Sequence, residues 1–279
     1  MTLTLSLHGY KVISLALNVP GPVAAKRLKE LGATILKVEP PSGDPLSIYS
    51  ADYYRELQQD IKVKKINLKD EMGQKQLDAL LADADILLTA QRPAALEKLN
   101  LGWPRIEKTF PRLSHIAIIG YPRPNESTAG HDLTYLASEG LLSPTQMPLT
   151  LLADIAGAER AVSAALAALI VRDKTNQGSY HEVALSEAAA AFTGPLKYGL
   201  TKSGALLGGG FAGYNIYQCS EGHIAVAALE PHFFAHLQEL LKVEYATVAK
   251  LAEIFLTQSA DEWEQWAQRH DVPLAKLNM

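Results

Sequence analysis

Residues 11–38 read KVISLALNVPGPVAAKRLKELGATILKV, and this stretch decides the fold. Lys11 to Leu17 is a short apolar strand. Pro22 to Leu31 has helical periodicity, with proline in its first turn and Gly32 as its stop, and Ala33 to Val38 is a second strand. Together they form a βαβ unit. The loop Asn18-Val19-Pro20-Gly21-Pro22 holds one glycine and two prolines, whereas a dinucleotide fingerprint needs three placed glycines for the backbone to approach a pyrophosphate. Glu39 stands where a ribose-binding acid would, but without those glycines NAD binding is rejected.

The alternation continues downstream. Asp70 caps a helix through Leu81, Ala84 to Thr89 is a strand, helical turns follow Pro93, and His115 to Tyr121 is another strand. Short apolar strands separated by helices predict a parallel sheet covered on both faces. Tyr121 to Gly130 is a polar, Pro- and Gly-containing loop at a strand end, a common place for catalytic groups. A helix follows from about Ile155 to Asp173, then a strand over Gly178 to Leu185 and a helix over Ser186 to Leu200. Beyond it the pattern changes: Gly204 to Gly213 holds five glycines, and Tyr214 to Cys219 pairs with His223 to Leu229 across Ser220-Glu221-Gly222 as a hairpin, followed by helical segments. The expected organisation is a Rossmann-like α/β large domain over 1–200 and a smaller α+β domain over 201–279.

With 279 residues, 48% of them hydrophobic, the chain can bury a sizeable core. A net charge of -4 gives no global attraction to nucleic acid or an anionic membrane, so neither is expected as a partner. The single cysteine, Cys219, permits no internal disulfide and is expected in the core, not as a nucleophile. Lys11 interrupts the N-terminal apolar stretch, and the uncharged run Ala161 to Val171 is too short to span a bilayer and reads as a buried helix. A cytoplasmic location is the expectation.

The chemistry concentrates around Gly130-His131-Asp132 and Asp154. An imidazole and a carboxylate on opposite sides of one carbon can remove and return a proton. Apolar neighbours Leu151, Leu152 and Ala153 favour a protonated carboxyl at Asp154, and backbone N–H groups of Asp132 and Leu133 at a helix start can stabilise an enolate oxygen. Asp132 reads equally as an N-cap or as a participant. The other histidines lack metal-ligand spacing, so no metal is expected.

These residues occur among Pro20-Gly21-Pro22, Leu31 to Pro41 with Gly43-Asp44-Pro45, Asn67-Leu68-Lys69, Arg92-Pro93, Leu99 to Gly102, Leu152-Ala153-Asp154, Gln177-Gly178, Leu207-Gly208-Gly209 with Tyr214, and Leu229-Glu230-Pro231 with Phe233 and Phe234. In that order the set resembles the class III CoA-transferase and α-methylacyl-CoA racemase family, racemase branch. The resemblance implies an interlocked homodimer with the active site between subunits, and an acyl-CoA thioester as ligand, so that CoA is part of the substrate and no separate cofactor is required. It implies site roles for His131, Asp132, Asp154 and Glu230, and CoA contacts for Lys37 and Arg92. Lys62, Lys64 and Lys65 stand where relatives carry Asn-Arg-x-Lys, and Tyr121 to Asn125 replaces a Gly-rich segment usual there. Relatives continue past Met279, so a short or truncated member is expected. The function expected is inversion of the 2-methyl carbon of a branched acyl-CoA through an enolate. The alternatives are a CoA-transferase using an Asp154 anhydride, from which the opposing His131 discriminates, and an inactive CoA-binding protein.

Overall fold

Strands made of unbroken apolar residues have no solvent face, so they belong at the centre of a covered parallel sheet. Ile86–Thr89 and Ser114–Ile119 are buried at every position. In the computed structural model, which describes residues 6–278, they are the fourth and fifth of six parallel strands. The chain runs β1 (Lys11–Ser14), α1 (Pro20–Glu30), β2 (Thr34–Glu39), α2 (Leu46–Tyr49), α3 (Ala51–Leu57), β3 (Lys62–Lys65), α4 (Glu71–Leu81) and β4. It continues with α5 (Pro93–Lys98), α6 (Trp103–Thr109), β5, α7 (Asp132–Ser138), α8 (Leu152–Thr175), β6 (Tyr180–Ala184) and α9 (Leu185–Ala190). The sheet order is β3-β2-β1-β4-β5-β6. The mixed α/β architecture matches the reading of the sequence, and this unit ends at Thr193.

Three local differences from that reading have physical reasons. β3 was not foreseen, because Lys-Val-Lys-Lys is exposed at all four positions and carries no apolar signal on this sheet edge. Gly194-Pro195 interrupts the helix expected from Ser186 to Leu200, leaving α9 and a short α10 (Gly194–Lys197). Finally, the run Ala161 to Val171 lies within α8 but is buried on one face only. Ala161, Val162, Ala165, Ala168 and Leu169 are buried while Ile170 and Val171 are exposed. The small residues on the inner face of α8 let it approach β5 and β6 closely, and Asn176 ends it in a left-handed conformation at φ 60°.

A buried polar knot shapes the loops at the carboxyl ends of β1 and β2. The Asp44 carboxylate accepts the backbone N–H of Asn18 at 3.0 Å and of Leu46 at 3.0 Å, and pairs with the Lys37 ammonium. Lys37 also meets Glu39 at 3.1 Å and lies over the Tyr54 ring, and Tyr54 donates its hydroxyl to Glu39 at 2.8 Å. Asn18 adopts φ 64°, so the Asp44 bond fixes an otherwise unfavourable conformation where the chain leaves β1. Gly21 then brings α1 against that exit, since a Cβ there would stand 2.0 Å from Ala16 Cβ.

The second unit begins at Gly194. Its strands β7 (Tyr214–Gln218), β8 (His223–Ala227) and β9 (Leu274–Lys276) form an antiparallel sheet in that order, accompanied by α11 (Pro231–Leu241), α12 (Val248–Phe255) and α13 (Ala260–His270). Tyr217, Ile224, Val226, Leu237, Phe255 and Trp263 build a core of its own, and Cys219 is buried in it. The Trp263 indole donates to the Phe255 carbonyl at 2.9 Å. The final strand replaces the all-helical ending read from the sequence; a three-residue Leu-Ala-Lys strand is too short to show a period.

Asp44→Ala removes one acid from a fully buried lysine and leaves two backbone N–H groups without their acceptor. The unfolding free energy is expected to fall by about 3–5 kcal/mol, as urea denaturation would report. A loss of only about 0–1 kcal/mol would show that the knot behaves as an exposed pair does.

Candidate active site

Where two crossovers leave a parallel sheet on opposite faces, a crevice opens beyond the carboxyl ends of the strands. In this sheet that point lies between β1 and β4. A cavity of about 220 Å³ occupies it, bounded by Leu17 and Asn18 after β1, Ala90 and Arg92 after β4, and Ile119 and Gly120 at the end of β5. His131, Tyr135 and Asp154 line the same cavity, so the structure brings His131 and Asp154 together with Arg92.

Each side chain is placed by a helix start. His131 is the N-cap of α7, its backbone N–H donates to the Thr134 hydroxyl at 3.0 Å, and that hydroxyl donates to the His131 carbonyl at 2.8 Å. Thr134 thus holds the His131 backbone at the cap, and His131 lines the cavity. At Gly130 a Cβ would lie 2.5 Å from the Tyr135 ring and 2.9 Å from Tyr121, so a glycine is required for these two rings to stand edge to face at 5.1 Å. Burial, followed by the nearby Tyr121 and Asp154, pushes the Tyr135 hydroxyl up to about 12, which keeps it a neutral donor.

Asp132 does cap a helix, but not its own. Its Oδ1 accepts the backbone N–H of Asp154 at 3.0 Å, satisfying one of the free donors in the first turn of α8. The two helix starts are thereby bonded together, which sets Asp154 against the cavity. Position in the first turn favours an ionised carboxylate by roughly 0.3–1 kcal/mol. Burial opposes it more strongly, and with the negative Asp132 beside it the Asp154 carboxyl rises to about 7. Near neutrality it is therefore close to half protonated.

A second cavity of about 480 Å³ adjoins the first through their shared wall residue Leu17. Leu15, Val38, Pro40, Pro41, Ile66, Leu68 and Leu99 make it largely apolar, with Lys69 also in its lining. The pair of cavities suits a ligand with a flat apolar body at one end and a reactive group at the other.

The sequence matches the family model described as CoA-transferase family III over residues 7–279. The chain belongs to CoA-transferase family III. It is 29% identical over 283 residues to the alpha-methylacyl-CoA racemase of Homo sapiens, covering 95% of this chain and 71% of that protein. It is also 35% identical over 150 residues to the cinnamoyl-CoA:phenyllactate CoA-transferase of Clostridium sporogenes, covering 49% of this chain and only 36% of that one. The crystal structure of Rv3272 from Mycobacterium tuberculosis shares the fold, with a TM-score of 0.84 at 24% identity over 98% of this chain and 83% of that one. Racemases and transferases thus both stand among the relatives of this family III chain.

The remaining expected site residues divide. Arg92 is exposed at the start of α5 and forms no ion pair with a described residue, which leaves its charge for a ligand. Lys37 differs from the expectation of a CoA contact: it is 1% exposed and its ammonium is taken up by Asp44 and Glu39, so it holds loops and offers no charge outward. Glu230 lies in the second unit as the exposed N-cap of α11, and its carboxylate bonds to no described residue. Tyr135 was not singled out from the sequence, although it follows the cap residue His131 within the first turns of α7 and lines the same cavity.

Because Asp154 binds a proton more tightly folded than unfolded, its own contribution to stability is fully present below about pH 4 and is lost as pH rises through about 7. Asp154→Asn is expected to melt higher than wild type at pH 8, with the advantage shrinking as pH falls toward 4. Asp132→Asn keeps an acceptor for the Asp154 N–H but removes a charge. Carbon-13 NMR titration of the Asp154 carboxyl should then show a pKa below about 7 in this variant, and an unchanged value would exclude Asp132 as a cause.

Proposed function

We propose that this family III enzyme is an acyl-CoA racemase or epimerase that inverts the carbon next to the thioester. The observation carrying this reading is the meeting, in one cavity, of the His131 imidazole and an Asp154 carboxyl held near pKa 7. A two-base inversion needs one group ready to accept a proton and one ready to give it, each with a pKa near the working pH. In one direction neutral His131 takes the α-proton while protonated Asp154 returns one from the opposite side; in the other the roles exchange. Charge gathers on the thioester oxygen in the enolate. The backbone N–H groups of Asp132 and Leu133, which open α7 and have no partner among the described residues, are the donors assigned to it, each worth roughly 2.7–4 kcal/mol.

The nucleotide of CoA is assigned to the larger apolar cavity, where ring stacking against Pro40, Pro41 and Leu68 is available, and Arg92 to a phosphate. A homodimer remains part of the proposal, supported by apolar side chains left exposed at Leu149, Ile170 and Val171. Glu230 is assigned to the site of the dimer. None of the described helices is long and apolar enough to cross a membrane, and a cytoplasmic enzyme is proposed.

A second reading, CoA transfer through an Asp154 anhydride, is supported by the transferase relative. The His131 imidazole in the same cavity weighs against it, since an anhydride on Asp154 needs no proton carrier opposite it.

Proton NMR in deuterated water with 2-methylacyl-CoA is expected to show loss of the α-proton signal with no second substrate present. His131→Ala and Asp154→Ala should each lower inversion by about 10²–10⁴-fold. Absence of exchange, together with transfer of CoA to an added carboxylic acid, would replace this reading with the transferase one.

A further inference from the structure

The loop between β5 and α7 carries a carboxylate that neither the fold nor the proton transfer uses. Arg123 anchors this loop to β6: its guanidinium holds Glu182 through Nε at 3.1 Å and 3.3 Å and through Nη2 at 3.0 Å, and Tyr180 donates to the same Glu182 at 2.8 Å. Two internal turns, Asn125 N–H to Pro122 carbonyl and Thr128 N–H to Asn125 carbonyl, both at 2.9 Å, define the path between. Glu126 therefore occupies a set position, and it lines the cavity that holds His131 and Asp154.

Its surroundings leave the carboxylate half satisfied. Oε1 lies 3.5 Å from Arg123, whose guanidinium is already committed to Glu182. Oε2 is shut off from solvent and has no hydrogen-bond partner among the described residues. A carboxylate oxygen withdrawn from water without a donor is a standing cost, and a site of this kind discriminates strongly in favour of a ligand that supplies the donor. Among the other residues lining the cavity, Asp154 is a second acid and Arg92 is the one lysine or arginine. At about 220 Å³ the cavity is smaller than the roughly 300–1,000 Å³ of pockets that hold drug-sized ligands, which suits a short acyl chain.

We infer that Glu126 is a specificity-determining residue, selecting short acyl groups that carry a hydroxyl or ammonium donor beyond the reacting carbon and rejecting those that end in a carboxylate. The Glu126 side chain is 23% exposed, and a turn of its carboxylate about the terminal bond presents Oε2 to the donor, while a terminal carboxylate would meet like charge. This inference rests on the acyl-CoA reading of the same cavity and names its substrate class.

Three CoA thioesters with the same α-methyl carbon test it: 2-methylbutanoyl-CoA, its 3-hydroxy derivative, and 2-methylsuccinyl-CoA. Both α-proton exchange and equilibrium binding are measured for wild type, Glu126→Ala and Glu126→Gln, after a melting curve shows each variant folded. Wild type is expected to favour the hydroxy ester over the plain one by about 10–100-fold. Glu126→Ala should bring that ratio to about one, and Glu126→Gln should improve use of the carboxylate-ended ester about tenfold or more. A wild-type ratio near one, or a preference that survives in Glu126→Ala, overturns the inference while exchange itself upholds the reaction. No exchange with any ester, but tighter binding of the hydroxy ester that Glu126→Ala abolishes, overturns the reaction and upholds Glu126. Failure to bind any of the three overturns both.

Discussion

A sheet whose strands all run one way obliges every connection to cross back over a face, and it gathers all the strand carboxyl ends along one side. In this protein that constraint places three otherwise distant loops, those after β1, β4 and β5, around a single crevice. The fully buried β4 and β5 make the floor rigid, and α8, with its small-residue face against the sheet, brings Asp154 to the same place from a separate part of the chain. The candidate site residues are therefore set by the winding of the backbone, and the loops have only to complete the walls.

Within that frame, stability and chemistry are in tension at one carboxylate. Asp132 strengthens the fold by accepting an N–H at the start of α8, yet its charge adds to the burial that holds Asp154 away from its ordinary ionisation. The same bond that orients the catalytic candidate also makes its charged form unfavourable. Asp44 shows the opposite arrangement, with its carboxylate surrounded by donors and its role wholly architectural.

The fold class was legible because buried parallel strands leave continuous apolar runs and helices leave caps such as Asp70, whose side chain accepts the Gly73 N–H at 2.7 Å. The candidate pair His131 and Asp154 was legible from their motif setting. What sequence did not reveal were properties that arise only from packing. Lys37 looks like any strand lysine until Asp44 and Glu39 close over it, and Glu126 looks like loop filler until Arg123 is seen to be engaged elsewhere. β3 and β9 escaped notice because edge strands of three or four residues are defined by their neighbour's hydrogen bonds and not by their own pattern.

β3 has a consequence of a different kind. Its outer backbone edge is a template on which another extended chain could register, and its side chains are Lys62, Val63, Lys64 and Lys65, all exposed. A second copy added alongside would bring rows of ammonium groups within a few ångströms of one another, well inside the screening distance of about 8 Å at physiological salt. The lysines thus act as gatekeepers against sheet-to-sheet polymerisation. Charge neutralisation there, by acetylation or by concentrated salt, would expose the chain to aggregation without altering its folded state.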